Sequence, residues 1–399
     1  MNICYVAPDV AVPYFRGAST HVVEVAKNLS SLGNRVSVVS RRLDRSQRRW
    51  ESIDGFETYR TFQGLVFEPP MSTYSSTHVD KESRSSLQRL YALYLGSYRA
   101  FQLGAEAAVV MSGRGIEVVM ERETAFGAGA VLSSLLGVPL VLEMVGPRVS
   151  SLSLKRASKV LAYSTIMARG RVPPEKLEIV PAGVDTNRFK RDTEAGLKVR
   201  GKFGLEDERV VGYVGTFQRW HGVNELLEAC KGLGPSPRRV KLMLVGPYFN
   251  EAMRFAEEIG MKDDTVFTGA VPYESVPDYI NACDVLCAPY DPSLSKLRTT
   301  HGIGAPLKVL EYMACEKAVV STEVPPITEV VRSGSTGLLV PPGDTKSLAK
   351  AIGSLFENPA LAERMGSDAR QEVCERYSWN GLARTIERAL REVRTVSAK

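Results

Sequence analysis

The stretch Gly302–Val320, GIGAPLKVLEYMACEKAVV, reads as a loop, a helix and a buried strand in succession. Gly302, Gly304 and Pro306 make the loop and set the helix start. Val309, Leu310, Met313 and Ala314 recur at helical spacing, and Ala318–Ser321 is short and apolar. Such a succession is one step of an α/β sheet. Lys308 and Glu311 lie three residues apart and project from one side of the first turns. Free backbone N–H groups at a helix start, backed by a lysine, suit a diphosphate. A carboxylate one turn further in can accept hydrogen bonds from a ribose diol. The local geometry therefore fits a sugar nucleotide. The plainer alternative is a glycine that ends a loop and a Lys/Glu pair on a solvated helix face.

Working outward, strands and helices alternate along the chain. Apolar runs at Ile3–Ala7, Val36–Ser40, Phe56–Thr61, Val118–Glu121, Leu140–Glu143, Lys159–Tyr163 and Leu177–Pro181 predict strands. Helical periodicity predicts helices over Gly17–Leu32, about Ser83–Met111 and Phe126–Leu136 between them. Residues 182–208 are polar and charged and read as a linker. A second series follows, with strands at Val210–Val214, Lys241–Val245, Thr265–Thr268, Val285–Pro289 and Gly337–Val340. Its helices lie at Val223–Leu233, Phe249–Ile259 and Glu274–Asn281, and three more close the chain, the last near Gly381–Val393. Apolar strands divided by helices imply parallel sheets covered on both faces, here two doubly wound α/β units in tandem. Ligands in such sheets bind at the carboxyl ends of the strands.

A length of 399 residues also points to two domains. No stretch approaches a membrane-spanning helix, and MNICYVAP runs straight into a strand without a basic leader. The six cysteines lie singly, mostly inside apolar runs, and are expected to be buried free thiols in a reducing cytoplasm. No metal-ligand spacing accompanies them, so no metal site is expected. The net charge of +6 is carried by the first half of the chain. Arg41, Arg42, Arg45, Arg48 and Arg49 fall in one short loop. That run reads either as a solvated loop or as a peripheral contact with an anionic membrane, the latter at about 1 kcal/mol per basic side chain. No motif for nucleic acid accompanies it. There is no GxGxxG after the first strand and no GxxxxGK[ST], which argues against a dinucleotide cofactor and a P-loop ATPase. Gly17 ends a long loop after the first strand, where it either lets the backbone approach a ligand or simply makes a turn.

Five windows then resemble one family in order and spacing: RASKVLAYSTIMARGRVPPEKLEIVPAGVDTNRF, VGYVGTFQRWHGVNELLEAC, FTGAVPYESVPDYINACDVLCAPY, APLKVLEYMACEKAVV and TEVVRSGSTGLLVPPGDTKSLAKAI. They look like family 4 retaining glycosyltransferases of the group 1 type. The resemblance implies a GT-B fold, two Rossmann-like domains facing across a cleft. Residues 1–188 plus 380–399 would form the acceptor-side domain, with the last helix returning to it, and 189–379 the nucleotide-sugar domain. It implies transfer of a sugar from a nucleoside diphosphate sugar to a glycan, lipid-linked or small-molecule acceptor, with retention and without a metal or other cofactor.

Roles carried over by the resemblance follow residue by residue. Glu311 would hold the ribose hydroxyls, and Lys308 with the backbone from Gly304 through Ala305 and Pro306 to Leu307 would meet the diphosphate. Gly215, Thr216 and Phe217 would line the nucleotide loop, with Arg219 and His221 beside it. His221 either touches phosphate or is packed against Trp220. Val271 and Pro272 would flank the base, and Gly17 would face the diphosphate from the other domain. Glu121-Arg122 and Glu143 end first-domain strands and are either acceptor and reaction-site groups or structural ion pairs. Lys308, Glu121, Arg122 and Arg219 are thus the catalytic candidates.

The chain departs from the family in three places. Ile303 stands where the first of two motif glutamates is usual, Glu316 stands where a glycine usually follows the helix, and LEMVGPR lacks a histidine common at the end of the fourth strand. Without paired carboxylates a double displacement is disfavoured and a front-face displacement fits better. Two alternatives remain: a GT-B protein that binds nucleotide or a partner without turnover, and a sugar-nucleotide epimerase. Tyr91, Tyr94 and Tyr98 either line an amphipathic acceptor surface or belong to ordinary packing.

Overall fold

The computed structural model describes residues 1–13, 17–42, 46–61, 86–123, 126–145, 149–233, 239–247, 249–295 and 303–397. Gly302, Arg45 and the side chains of Tyr91 and Tyr94, singled out above, lie outside the described residues. The chain divides into two compact units, Met1–Pro181 with Trp379–Lys399, and Ala182–Ser378. The expected boundary at 188/189 therefore moves upstream, and Trp379 joins the first unit rather than the second. Residues 182–189 are stitched to the second unit. The Val184 N–H donates to the Tyr377 carbonyl at 2.8 Å, and Arg370 donates to the carbonyls of Thr186 and Phe189.

In the first unit the described strands are β1 (Asn2–Ala11), β2 (Arg35–Arg41), β3 (Trp50–Ile53), β4 (Phe56–Arg60), β5 (Val118–Arg122), β6 (Leu140–Met144), β7 (Lys159–Ala162) and β8 (Leu177–Ile179). They form one sheet in the order β3-β4-β2-β1-β5-β6-β7-β8. Every pairing is parallel except β3 with β4. That antiparallel edge was not expected. Its cause is local: Asp54 and Gly55 both take positive φ, 45° and 89°, and make a two-residue hairpin turn whose twist suits the flanking strands. The Arg60 guanidinium, buried at the end of β4, donates to the carbonyls of Val12 and Arg48 and pairs with Glu51, pinning the arginine-rich loop to the sheet. Ala100, Ala107 and Met111 of the Ser86–Met111 helix pack on one face with Cys4, Val6, Val119 and Leu142. The Gly17–Ser31 and Trp379–Ser397 helices pack on each other and against the sheet, tied by the Asn34–Glu387 bond at 2.9 Å.

The second unit holds β9 (Arg209–Val214), β10 (Val240–Val245), β11 (Thr265–Gly269), β12 (Val285–Ala288), β13 (Ala318–Thr322) and β14 (Leu338–Val340), in the all-parallel order β11-β10-β9-β12-β13-β14. Order 10-9-12 reverses direction at β9, so a switch point falls beside the carboxyl end of β9. Val211, Tyr213, Leu242, Leu244 and Val320 pack against Leu226, Leu348 and Ile352 of the covering helices. The linker expected at 182–208 is overturned in part, because Thr193–Phe203 is a helix. The Asp192 carboxylate accepts the Ala195 N–H at 3.0 Å, Gly204 closes the helix in the left-handed region, and only Gly196 and Val199 are buried. The thin apolar stripe is why composition alone reads as a linker.

Glu316 shows how the unusual turn is built. It adopts φ 58°, the left-handed conformation for which glycine is ordinarily favoured. The turn after the Leu307–Ala314 helix thus keeps its shape with a glutamate in place. Of the cysteines, Cys4, Cys230, Cys283, Cys287 and Cys315 are buried, whereas Cys374 is exposed, against expectation.

Candidate functional site

At the carboxyl end of β9 the second unit brings Tyr213, Lys308 and Tyr312 together. After Val214 the chain turns at Gly215 with φ 148°. A Cβ there would lie 2.9 Å from Lys308 Nζ and 3.3 Å from Tyr213 Oη, so a side chain would push the end of the lysine aside, and the φ itself favours glycine. Lys308 Nζ donates to Tyr213 Oη at 2.7 Å, and that hydroxyl donates to the Thr216 carbonyl at 2.5 Å. The ammonium also lies 4.4 Å from the Tyr213 ring centroid and 5.1 Å from that of Tyr290. One turn later, the Tyr312 hydroxyl accepts the Val214 N–H at 2.7 Å and donates to its carbonyl at 3.0 Å. Helix and strand end are thereby locked together. Burial pulls the Lys308 amine down to about 7, against the opposing pull of Glu311.

Glu311 presents the mirror case. Burial pushes its carboxyl up to about 7, although the Tyr273 hydroxyl, Lys308 and Arg188 act the other way. Tyr273 donates to Glu311 Oε1 at 2.9 Å. A cation and an anion, both partly desolvated, thus stand on the first turns of one helix. Such a pair regains its charge when a ligand of complementary polarity arrives.

The remaining expected residues are distributed around this pair. Gly304, Ala305 and Pro306 lead into the helix, but the Leu307 N–H bonds back to the Ala305 carbonyl at 3.0 Å and is not a free donor as expected. Phe217 packs on Tyr213, with centroids 5.6 Å apart. The Thr216 carbonyl also accepts from His221 Nδ1 at 2.6 Å. His221 is buried and packs edge-on against Trp220 and Tyr290, so of its two readings the packed one describes the structure. Arg219 Nη1 donates to both carboxylate oxygens of Glu225, at 2.6 and 2.9 Å, rather than standing alone beside the loop. Val271 leads into the short turn that carries Tyr273.

In the first unit Glu121 and Glu143 are both fully buried. Glu121 Oε2 accepts the Ala130 N–H at 3.1 Å and the Ser153 hydroxyl at 2.8 Å, and Gly129 leaves space for it. It serves the start of the Ala128–Leu136 helix, which corrects its candidacy as a reacting group. Arg122 pairs with Asp9 at 3.5 Å. Burial acts to lower its pKa, but Asp9, Tyr5, Glu143 and Glu123 outweigh burial and raise it. Glu143 receives His21 Nε2 at 2.7 Å, the Tyr163 hydroxyl at 2.6 Å and the Tyr5 hydroxyl at 2.5 Å. Burial alone would raise this carboxyl, yet those donors outweigh it and hold it at about 2. Gly17 is the exposed first residue of its helix.

Sequence reasoning missed Tyr213, Tyr273, Tyr290, Arg188 and His21. Tyrosines inside strands and turns look like core. Their only signal was a hydroxyl-bearing residue at a strand end.

Among the described residues no group of three histidines, cysteines or acids could hold a metal, and no helix is long and apolar enough to cross a membrane.

Residues 198–372 match the family described as glycosyl transferases group 1. That segment of the chain is similar to a group 1 glycosyltransferase domain. A GDP-mannose-dependent alpha-(1-6)-phosphatidylinositol monomannoside mannosyltransferase of Mycolicibacterium smegmatis is 31% identical over 209 residues. That match takes in 52% of this chain and 54% of the relative, so about half of that enzyme's length is represented. Among solved structures, sucrose-phosphate synthase from Thermosynechococcus elongatus aligns with a TM-score of 0.76 at 19% identity, covering 99% of each chain. Anabaena HepE in complex with UDP and glucose aligns at 0.73 and 19%, covering 98% of this chain and all of the other. These likenesses extend over both units and establish the GT-B fold with its two Rossmann-like units. Lys308, Glu311 and the Gly215 loop all lie inside the matched residues 198–372.

Proposed function

We propose that this protein moves a hexosyl group from a nucleoside diphosphate sugar to an acceptor, with retention of anomeric configuration and without a metal. The observation that carries this reading is Lys308 Nζ seated against side-chain-free Gly215, with Glu311 on the same helix. A diphosphate on the helix start would draw the Lys308 amine back to its charged form, and Glu311 would accept from the ribose. Departure of the diphosphate breaks the bond between the anomeric carbon and the phosphate oxygen. The acceptor hydroxyl forms its bond on the same face, and its proton passes to the departing oxygen. The Lys308 amine stabilises the charge that develops there. Arg219 joins this role only by sharing its pair with Glu225.

The acceptor is proposed to be lipid-linked or a surface glycan. The name of the mycolicibacterial relative includes a phosphatidylinositol mannoside, and the arginine loop supplies charge for a peripheral contact with an anionic cytoplasmic membrane face. Arg122 is the first-unit residue proposed to face it.

A second reading, nucleotide binding without turnover, is favoured by Ile303 and by the histidine missing from LEMVGPR. Ile303 is buried and brings no carboxylate to the place where the family usually has one. Thermal unfolding with UDP, GDP, ADP, CDP and dTDP, followed by transfer assays with the matching sugar nucleotides, separates the two. A ligand at a hundred times its Kd adds about 2.7 kcal/mol of stability. A shift with one base and measured sugar transfer supports the enzyme; a shift without transfer to any acceptor supports the second reading. No shift at all would overturn both.

A further inference from the structure

Tyr273 takes no part in the proposed chemistry, yet its hydroxyl donates to the Glu311 carboxylate, 2.9 Å from Oε1. The two residues come from separate segments, the turn after β11 and the Leu307–Ala314 helix, 38 residues apart. The tyrosine ring is itself held in place. Phe189 packs on it with centroids 5.6 Å apart, and the Arg188 guanidinium lies 5.2 Å from its centroid. Both come from the segment that Arg370 ties down, so the hydroxyl has a fixed origin.

A carboxylate offers about four acceptor positions on two oxygens. A donor fixed at Oε1 stops the group from rotating freely and leaves Oε2 and the second lone pair of Oε1 available. Two neighbouring hydroxyls can be received together only if the carboxylate plane is set beforehand. Tyr273 also directly follows Val271 and Pro272, so the segment expected at the base reaches the group expected at the sugar.

We propose that Tyr273 is a positioning residue of the ribose subsite, fixing the Glu311 carboxylate so that the site prefers ribonucleoside over 2′-deoxyribonucleoside diphosphates. This rests on the reading of Glu311 as the ribose acceptor given above. The Tyr273 bond favours the charged carboxylate, so it also keeps the acceptor available at neutral pH.

The test uses the whole chain, with UDP, GDP, ADP, CDP and their 2′-deoxy counterparts titrated by calorimetry against wild type, Tyr273→Phe and Glu311→Gln. Wild type is expected to favour the ribonucleotide of one base by roughly 10-fold or more, the scale of a hydrogen bond to a charged group. Tyr273→Phe keeps the ring and should lower ribonucleotide affinity while leaving the 2′-deoxy ligand nearly unchanged, so that the preference collapses. Its binding should also demand a higher pH, because the carboxyl loses a donor that favours ionisation. Glu311→Gln should erase the preference, and adding Tyr273→Phe to it should change nothing further. A purely structural tyrosine would weaken both ligands equally and leave the ratio and pH profile in place. An unchanged ratio in a folded Tyr273→Phe protein overturns the role of Tyr273 while leaving that of Glu311. A wild type that binds none of the four ribonucleotides, or does not discriminate, overturns the ribose reading and this inference with it.

Discussion

Glu143 in the first unit and Glu311 in the second are both carboxylates sunk in protein, and they have opposite fates. Glu143 is met by His21, Tyr163 and Tyr5, and its pKa is held at about 2. Glu311 receives Tyr273, and its pKa is pushed up to about 7. Burial acts in the same direction on both. On Glu143 the electrostatic pull of His21 and three hydrogen bonds outweigh burial, whereas on Glu311 one hydrogen bond and the pull of Lys308 and Arg188 do not. A saturated carboxylate is a joint of the fold, whereas an under-saturated one keeps acceptor capacity for a ligand.

The sharpest break of this comparison is Glu143→Ala. It would leave His21 and two tyrosine hydroxyls without their acceptor in a buried site. Loss of about 3–5 kcal/mol of unfolding free energy in urea is expected; a loss under 1 kcal/mol would show that the network is not a joint. The wild-type contribution has a defined pH window. Its folded pKa is depressed from 4.5, so the stability is present above about 4.5 and disappears as pH falls through about 2.

Next in size, Lys308→Ala should lower kcat by roughly 10²- to 10³-fold, the usual effect of removing one donor to a developing oxyanion. Near-normal turnover in steady-state assays would remove Lys308 from the leaving group. Glu311→Gln tests the other half of the pair through the free protein. Glu311 is raised from 4.5 to about 7, so its stabilisation is present below 4.5 and lost as pH rises through about 7. Lys308 is lowered from 10.5 to about 7, so its stabilisation is present above 10.5 and lost as pH falls through about 7. Wild-type Tm should therefore dip near neutrality, and Glu311→Gln should abolish the acid side of the dip while weakening nucleotide binding. A Tm profile identical to wild type between pH 4 and 8 would contradict the desolvated pair. The smallest effect is Glu316→Gly. Releasing a glutamate from φ 58° should stabilise by about 0.5–1 kcal/mol, after the extra chain entropy of glycine is subtracted. Chemical unfolding reads it, and no gain would mean that the Arg191 contact at 3.8 Å holds the turn in compensation.

Much of this was legible in the chain. Parallel strands buried on both faces are continuous apolar runs, so the alternation of both units could be read directly. Lys308 and Glu311 were legible because helical spacing is local. The β3–β4 hairpin carries an Asp-Gly turn signal in plain view but interrupts an otherwise parallel pattern. The Thr193–Phe203 helix has caps at Asp192 and Gly204 but almost no apolar stripe. Tyr273 and Tyr213 were not legible as site residues, because their partners lie 38 and 95 residues away. Glu121 and Glu143 sit one strand apart with similar neighbours in sequence, and only the hydroxyls and N–H groups brought from elsewhere reveal what each one does.

The Trp379–Ser397 helix carries a consequence for the order of synthesis. It completes the first unit by covering the Gly17–Ser31 helix, and Trp379 packs on His21 with centroids 5.5 Å apart. A ribosome must therefore deliver the entire second unit before that helix receives its cover. Until then the nascent first unit exposes an apolar flank beside the His21–Glu143 network. The second unit, by contrast, is one uninterrupted segment and can close while the first still waits. Assembly runs against the direction of translation, with the earliest residues made among the last to be sealed.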